Sequence, residues 1–330
     1  MRASIIIPAF NAEGTLARCL SACMAQDFPD FEVLVVDDGS TDATGGIVAE
    51  FPSVRLIRQA NQGPAAARNH GAREATGDVL VFTDSDCVPC PDWLSRLLAG
   101  FDASVAAIGG TYACANPASR LARVIQAEIG RRHAQFGDGV DFLGSFNVAY
   151  RAEAFRAAGG FDESYRQASG EDNDLAYRLQ DAGGTLCFTT AAVVAHYHPE
   201  RLIGYLRTQA RHGYWRVKLY REHPGWAKGD QYAGWPDLLA PPLGLLLLCV
   251  APAVLCLQMI GWYAPAVACG FFGLVAAYVA LHLPITWRLR RDLSPADLLY
   301  FCGMASLRDL ARALGLVRGV WRFAILARRA

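Results

Sequence analysis

Val79-Leu80-Val81-Phe82-Thr83-Asp84-Ser85-Asp86 is a short apolar run that ends in two carboxylates one residue apart. Such a run predicts a buried strand of an α/β sheet, and open α/β sheets bind their ligands where the strands end. Asp84 and Asp86 occupy alternate positions, so both can face one small volume, where they repel each other unless a cation binds between them. Carboxylate oxygens suit Mg²⁺ or Mn²⁺. The alternative is a polar turn that caps the strand.

The rest of the first hundred residues alternates between apolar runs and segments of helical periodicity. Strands are predicted at residues 4–8, 31–36, 54–57 and 78–82, and helices at 13–25 and 65–74. This alternation predicts an α/β domain with a mostly parallel central sheet. The following part is more mixed, with strands predicted at 105–112, 140–150 and 191–195 and helices at 121–132, 152–158 and 173–182.

Residues 238–287 contain no Asp, Glu, Lys or Arg. A membrane-spanning helix needs about 20 apolar residues, so we expect two transmembrane helices at 238–262 and 264–287. Aromatic residues stand at their ends, as in an interface belt: Trp235, Trp262, Tyr263 and Trp287. An arginine-rich amphipathic tail follows at 288–330, which the positive-inside rule places in the cytoplasm. The alternative is a buried helical hairpin, which a domain of this size has little room to hold.

Charge and the N-terminus restrict the class of protein further. The 31 basic and 31 acidic residues balance, so no nucleic-acid partner is expected. The apolar run at the start is too short for a signal peptide, and Pro8 interrupts it. We therefore expect a multi-pass protein of the cytoplasmic (inner) membrane, with its soluble part in the cytoplasm and its cysteines reduced.

Six motifs occur in order along the chain. They are Ile5-Ile6-Ile7-Pro8-Ala9-Phe10-Asn11-Ala12-Glu13, Val35-Val36-Asp37-Asp38-Gly39-Ser40-Thr41-Asp42, Asn61-Gln62-Gly63 with Ala67-Arg68-Asn69, Asp84-Ser85-Asp86, Gly159-Gly160-Phe161-Asp162-Glu163 and Gly170-Glu171-Asp172-Asn173-Asp174. The set resembles the family 2 glycosyltransferases, which are inverting enzymes with the GT-A nucleotide-diphospho-sugar transferase fold. The resemblance covers about residues 3–223 and implies a nucleotide-sugar donor and a divalent metal, Mg²⁺ or Mn²⁺.

The resemblance also divides the chain. It implies a catalytic domain at 1–223, with a nucleotide-binding half at 1–104 and an acceptor-binding half at 105–200. Residues 201–223 mix Arg and Lys with Tyr, Trp and Leu, and we expect them to form an amphipathic helix on the membrane surface. A linker at 224–237 leads to the two spans.

Roles of single residues are likewise implied by the resemblance. The nucleotide-sugar-binding candidates are Pro8, Phe10, Glu13, Asp37, Asp38, Arg68, Asn69, Asp84 and Ser85. Of these, the first three would line the base and ribose pocket, Asp38 or Asp37 would bond the base, and Arg68 and Asn69 would lie near the base or the diphosphate. The alternatives are a capped turn at 37–42 and a solvated helix residue at Arg68.

The metal and proton-transfer candidates come from the same comparison. Asp86 is the first candidate for direct metal ligation, Asp84 would contact the ribose or the metal's water shell, and His198 is a further ligand, with His196 as second choice. Asp172 would be the base that takes the proton of the acceptor hydroxyl, supported by Glu171. The alternative for both acids is that they complement the dipole of the helix they begin.

The kind of acceptor is predicted from the segment after the catalytic residues and from the predicted membrane helices. Processive relatives carry a Gln-x-x-Arg-Trp motif, which Gln209-Ala210-Arg211-His212-Gly213-Tyr214-Trp215 does not fit. We therefore expect transfer of one sugar, with a UDP-sugar the first candidate donor, to a membrane acceptor such as a polyprenyl-phosphate-linked saccharide or a glycolipid. The competing hypotheses are a processive polysaccharide synthase, a non-catalytic membrane scaffold that keeps the fold, and a nucleotidyltransferase.

Overall fold

A computed structural model describes residues 1–102, 104–137, 139–259 and 265–325 of the chain. Two compact units are formed, Met1–His198 and Pro199–Ala330. The first unit is built on a β-sheet and the second is helical. Trp262 and Tyr263, expected at the ends of the membrane spans, lie outside the described residues, as do residues 326–330 of the tail.

The first unit contains one eight-stranded sheet with the order β3-β2-β1-β4-β7-β6-β8-β5. Its strands are β1 (Ala3–Ala9), β2 (Phe31–Asp37), β3 (Val54–Arg58), β4 (Val79–Thr83), β5 (Cys87–Pro89), β6 (Val105–Cys114), β7 (Asn147–Arg151) and β8 (Thr185–His196). The neighbours among β1 to β4 are parallel, as predicted. β7 is antiparallel to both β4 and β6, and β5 is antiparallel to β8, so the sheet as a whole is mixed.

Helices cover both faces of this sheet. They are α1 (Leu16–Met24), α2 (Thr44–Ala49), α3 (Pro64–Glu74), α4 (Trp93–Leu98), α5 (Arg120–His133), α6 (Ala152–Ala157) and α7 (Glu171–Asp181). Side chains of a strand alternate between faces, so Ile5 and Ile7 of β1 join one core cluster with Leu16, whereas Ile6 joins a second with Phe82. Each fully buried side chain of this size contributes about 1.5–3 kcal/mol, which explains why apolar residues occupy successive positions of β1 on both faces.

Two predicted strands differ from those observed. The strand expected at 140–150 begins only at Asn147, and β8 begins at Thr185 rather than at 191. Asn147 is buried and donates from Nδ2 to the carbonyl oxygens of Thr111 and Ala192, both at 3.0 Å, while its Oδ1 accepts from Trp93 Nε1 at 2.7 Å. One side chain thus ties β6, β7, β8 and α4 together just beside the end of β4.

The second unit contains α8 (Leu202–Glu222), α9 (Trp235–Met259), α10 (Pro265–Leu289) and α11 (Pro295–Gly319). A 3₁₀ turn at Pro224–Trp226 follows α8, and a π-helical turn at Val320–Ile325 continues α11. α9 and α10 are long and apolar enough to cross a membrane and coincide with the predicted spans. The helix expected at 201–223 is α8, which belongs to this second unit and packs against α11.

Candidate active site

The carboxyl ends of β1, β2 and β4 meet at one edge of the sheet because the three strands are parallel. Ala9 lies opposite Asp37 in this register, and Ile6 lies opposite Phe82. The residues that follow these strands therefore share an edge, which is where ligands of α/β sheets bind. Phe10, which follows β1, exposes 51% of its surface there, and Pro8 is half-buried.

Two loops at this edge are tied to each other by side chains. Glu13 Oε2 accepts from the Ala43 N–H at 3.1 Å, and Asn11 Oδ1 accepts from the Thr41 N–H at 2.9 Å. Asp37 Oδ1 accepts from the Ser40 N–H at 2.9 Å. The predicted nucleotide-binding residues Glu13 and Asp37 thus shape the loops after β1 and β2, and Phe10 is the apolar surface that these loops present.

Asp38, one of the two residues expected to bond the base, binds three groups of the protein. It is buried, and its oxygens accept from Gln59 Nε2 at 2.7 Å, the Gln62 N–H at 2.9 Å and the Gly63 N–H at 2.8 Å. These bonds fix the loop that leads into α3. A carboxylate has about four acceptor positions, so Asp38 shapes this loop, and its contact with a nucleotide base stays a prediction.

Arg68 is not a solvated helix residue. Its side chain is 2% exposed, and its guanidinium donates from Nη2 to Asp84 Oδ1 at 2.7 Å and from Nη1 to Glu171 Oε1 at 3.0 Å. Both carboxylates raise the pKa of Arg68, against the opposing effect of burial. One buried cation therefore joins the acidic loop after β4 to the acid pair that begins α7, although these motifs are far apart in the chain.

Asn69 fastens a turn through hydrogen bonds to Phe161 and Glu163. Its Nδ2 donates to the Phe161 carbonyl at 2.8 Å and to Glu163 Oε1 at 3.0 Å, and its Oδ1 accepts from the Phe161 N–H at 2.9 Å. Gly160 has a φ of 71°, and a Cβ there would lie 2.6 Å from Asn69 Oδ1, so only glycine fits this turn. Asn69 was predicted to lie near the base or the diphosphate, and its side-chain amide binds other groups of the protein through both its nitrogen and its oxygen.

Asp172 lies in the first turn of α7, directly after Glu171. Burial raises the pKa of Asp172 to about 7, and the Glu171 carboxylate adds to the shift, while Arg68 opposes it. Burial also raises the pKa of Glu171, against the effect of Arg68. A carboxyl group with a pKa near neutrality can accept a proton at physiological pH, which simple complementation of a helix dipole would not produce.

Tyr150 of β7 is a neighbour of Asp172 that the sequence did not single out. Its side chain is fully buried, and its hydroxyl has no hydrogen-bond partner among the described residues. Burial raises the pKa of Tyr150, and the charge of Asp172 adds to that shift. The hydroxyl is therefore a neutral donor close to the acid pair.

Strand register brings Asp86 against His196. β5 pairs with β8 so that Cys87 lies opposite His196, and the Tyr197 N–H donates to the Asp86 carbonyl at 3.0 Å. His196 Nε2 lies 3.4 Å from Asp86 Oδ2. Burial lowers the pKa of His196, but the hydrogen bond with Asp86 and the charges of Asp86 and Asp84 together outweigh burial and raise it. The expected order of the two histidines is thus reversed, because His196 is the one beside the carboxylate.

His198 stands behind His196 in a chain of hydrogen bonds that fixes the proton positions. Gln126 Nε2 donates to the Tyr112 carbonyl at 3.0 Å, so Gln126 Oε1 faces His198 Nε2 at 2.8 Å. An amide oxygen only accepts, so His198 Nε2 carries the proton. Burial lowers the pKa of His198 to about 3, and its neutral Nδ1 therefore accepts from His196 Nδ1 at 3.0 Å. Because Nδ1 of His196 is used in this bond, its other ring nitrogen, Nε2, is the one that faces Asp86.

Asp86, Cys87 and His196 offer ligand atoms that all lie within 4.8 Å of one another. Cys87 is fully buried, and burial raises the pKa of its thiol well above the usual value. A protonated thiol is a poor ligand for a hard cation. Asp86 and His196 are therefore the pair that could hold a metal, with Asp84 and the half-buried Ser85 on the same loop.

Comparison with solved structures defines the class of fold. The mannosyltransferase PcManGT from Pyrobaculum calidifontis, solved in complex with GDP-Man and Mn²⁺, superposes with a TM-score of 0.66 at 22% identity, over 98% of this chain and 88% of that one. GalNAc-T7, solved with UDP, GalNAc and Mn²⁺, gives a TM-score of 0.50 at 18% identity, over 68% of this chain and 50% of that one. The first unit is thus a GT-A-like α/β fold with a mixed sheet.

Sequence relatives give the family. A model of glycosyl transferase family 2 matches residues 4–159. The glycosyltransferase AglE of Haloferax volcanii is 31% identical over 235 residues, which cover 66% of this chain and 73% of that protein. The pre-mycofactocin glycosyltransferase of Mycobacterium tuberculosis is 32% identical over 232 residues, which cover 67% of this chain and 48%, about half, of that protein. The chain belongs to the family 2 glycosyltransferases.

Proposed function

We propose that this glycosyltransferase moves one sugar from a nucleoside diphosphate sugar to an acceptor hydroxyl with inversion. The observation that supports this most strongly is the bridge of Arg68 between Asp84 and Glu171. Through it, the acidic loop that ends β4 and the candidate base Asp172 belong to one network. The presence of all three candidate acids, Asp84, Asp86 and Asp172, argues against a non-catalytic scaffold.

Asp172 acts as the base in this proposal. The acceptor oxygen attacks the anomeric carbon, its proton passes to the Asp172 carboxylate, and the bond to the diphosphate breaks with the electron pair leaving on the nucleoside diphosphate. A pKa of about 7 makes Asp172 a stronger base than an ordinary carboxylate and leaves about half of it ionised at neutral pH. Glu171 is held by Arg68 and by the Ser169 N–H at 2.7 Å, so it positions the helix start where Asp172 acts.

The donor base is expected to stack on Phe10, at the edge shared by β1, β2 and β4. A UDP-sugar is the first candidate. GDP-mannose is the second, because PcManGT was solved in complex with GDP-Man. Equilibrium binding of both donors by the full-length chain separates these two possibilities.

Asp86 and His196 would hold the divalent metal, with Asp84 nearby. The geometry fits, since the hydrogen-bond chain from Gln126 through His198 leaves His196 Nε2 beside Asp86 Oδ2. A set of carboxylate oxygen and imidazole nitrogen favours Mn²⁺ over Mg²⁺. When bound, the metal would neutralise charge on the leaving diphosphate.

Gln126→Met is expected to weaken Mn²⁺ binding about 10- to 100-fold, although Gln126 does not contact the metal pair. Without the amide oxygen, nothing holds the proton on His198 Nε2, and the His196 ring loses its fixed orientation. Titration of the ligand-free protein with Mn²⁺, followed by electron paramagnetic resonance, measures the affinity. Gln135→Met, at an exposed position just after the same helix α5, is the control. Equal affinities of the two variants for Mn²⁺ would contradict the idea that the hydrogen bonds from Gln126 through His198 orient His196 for the metal.

We further propose that the acceptor is a lipid-linked saccharide or glycolipid at the cytoplasmic face of the inner membrane. α9 and α10 support this, because both can cross a bilayer and both expose large apolar side chains such as Leu248 and Phe272. The test compares a polyprenyl-phosphate-linked saccharide in lipid nanodiscs with the same saccharide free in solution. Transfer of a single sugar to the lipid-linked form is expected. Transfer to the soluble form alone would refute a membrane acceptor, and a ladder of products would favour the processive alternative.

A further inference from the structure

Helix α11 buries two charged residues against the protein and exposes large apolar residues on its other side. Arg308 and Asp309 are 4% and 2% exposed, whereas Leu299 and Trp321, just beyond the helix end, are 76% and 59% exposed. An amphipathic helix on the surface of a water-soluble protein buries apolar residues and exposes polar ones, whereas α11 buries Phe301 and Met304 and exposes apolar residues as well. The exposed side of α11 is therefore suited to an apolar environment.

The inward contacts fix how α11 is rotated about its axis. Asp309 Oδ2 accepts from the Tyr278 hydroxyl at 3.0 Å and lies 2.8 Å from His282 Nε2, both residues being on α10. Arg312 Nε donates to Gln209 Oε1 of α8 at 2.8 Å. A Cβ at Gly315 would overlap the carbonyl oxygen of Ala210 on α8, so the two helices are in backbone contact. Rotation of α11 would break all of these contacts.

The exposed side forms a continuous apolar stripe, which we call the outer face of α11. It consists of Leu299, Leu307, Leu314, Val317 and Trp321. At 100° per residue these positions lie within a sector of about 80°, and at 1.5 Å per residue they span about 33 Å. The exposed residues Arg318 and Arg322 border the stripe on one side only.

The rest of the second unit indicates what covers this face. α9 and α10 expose apolar side chains and are long and apolar enough to cross a bilayer, and α11 follows α10 after a short turn. α8 exposes Arg207 and Arg211, which would be costly in hydrocarbon. The α8–α11 pair is thus apolar along α11 and charged along α8, as expected of an element at the membrane–water interface.

We propose that the outer face of α11 lies in the cytoplasmic interface of the bilayer crossed by α9 and α10, with α8 held on its water side. This rests on the membrane location in the proposed function. It replaces α8 as the helix expected to contact the membrane surface. Arg318 and Arg322 would then meet anionic headgroups.

The test uses full-length protein labelled with 5-fluorotryptophan in lipid nanodiscs. Trp321→Phe, Trp287→Phe and Trp235→Phe assign the ¹⁹F resonances of these exposed residues without removing a charge or a core contact. Phosphatidylcholine carrying a doxyl group near the headgroup broadens resonances of residues in the interface, and an aqueous gadolinium chelate broadens those in water. Trp93, which is fully buried, is the interior reference.

We expect the Trp321 resonance to lose most of its intensity with the doxyl lipid and little with the chelate. Broadening of Trp321 by the chelate alone, while the lipid broadens Trp287, would overturn the placement of α11 and leave the membrane location intact. Protection of Trp321 from both probes would mean that a second copy of the chain covers the face, which also overturns it. If the lipid broadens none of Trp235, Trp287 and Trp321, the membrane location itself fails.

Discussion

Asp172→Asn is expected to lower kcat/KM by about 10²- to 10⁴-fold, the usual contribution of a general base, while donor binding stays unchanged. The amide keeps the shape of the carboxyl group but cannot accept the acceptor's proton. Single-turnover transfer and donor titration, made on the same preparation, separate the two effects. Asp181→Asn, at an exposed position at the end of the same helix, is the matched control and is expected to retain parental activity.

The pH profile of the parent tests the same assignment. Only ionised Asp172 accepts a proton, and its pKa is raised to about 7. kcat/KM is therefore expected to rise about tenfold per pH unit below pH 7 and to level off above it, and this limb should vanish from the residual activity of Asp172→Asn. An unchanged limb in the variant would show that another group is the base.

Stability should respond to pH through the same residue. The pKa of Asp172 is higher in the folded chain than its ordinary value of 3.8, so the fold favours the protonated form. The stabilising contribution is complete below about pH 4 and is lost as pH rises towards 7. Asp172→Asn should accordingly melt at a higher temperature than the parent at pH 8 and at a similar temperature at pH 4. The reverse order would contradict the raised pKa.

Arg68→Met is expected to destabilise the full-length chain by about 3–5 kcal/mol, the usual cost of removing one partner from a buried ion pair. Glu171, itself 2% exposed, and Asp84 would lose the guanidinium that both of them bind. Thermal unfolding in detergent, followed by circular dichroism, measures the loss. The double variant Arg68→Met with Glu171→Gln should recover part of it, because it removes one of the two unpaired carboxylates.

Arg73→Met provides the comparison for this prediction. Arg73 lies on the same helix, is 63% exposed and is 3.6 Å from Glu163, and an exposed pair of this kind contributes about 0–1 kcal/mol. If Arg68→Met melted no lower than Arg73→Met, the buried bridge between the two acidic motifs would not hold the site together.

The fold was predictable where a single local rule decides it. β1 to β4, α1 and α3 follow from alternating apolar runs and helical periodicity, and the structure confirms them within a few residues. The part of the sheet formed by β6, β7 and β8 was harder to predict, because these strands pair with strands that are distant in the sequence. Residues 140–146 are apolar enough for a strand, yet pairing with β4 begins at Asn147, whose side chain bonds three other elements.

The sequence predicted which residues form the candidate site better than it predicted which of them contact one another. The motifs brought the acids after β4 and those in the first turn of α7 into one proposal. Nothing in the sequence showed that Arg68 binds both groups or that Asn69 forms its hydrogen bonds within a turn of the protein. His196 and His198 are two residues apart at the end of β8. Strand periodicity places both on the same face, so it cannot tell which of them lies beside Asp86. Only the register of β5 on β8 places His196 beside Asp86, and only the fold brings Gln126 to His198.

Donor binding by the purified full-length chain tests the central claim most directly. Nucleoside diphosphate sugars with uridine and guanosine bases would be titrated with Mn²⁺, with Mg²⁺ and with a chelator, for the parent, Asp86→Ala and Asp172→Asn. The account predicts that one donor binds only with metal, that Asp86→Ala abolishes this binding, and that Asp172→Asn binds but does not transfer. Absence of binding by any donor, or equal behaviour of all three proteins, would contradict it and leave the non-catalytic scaffold as the function of the fold.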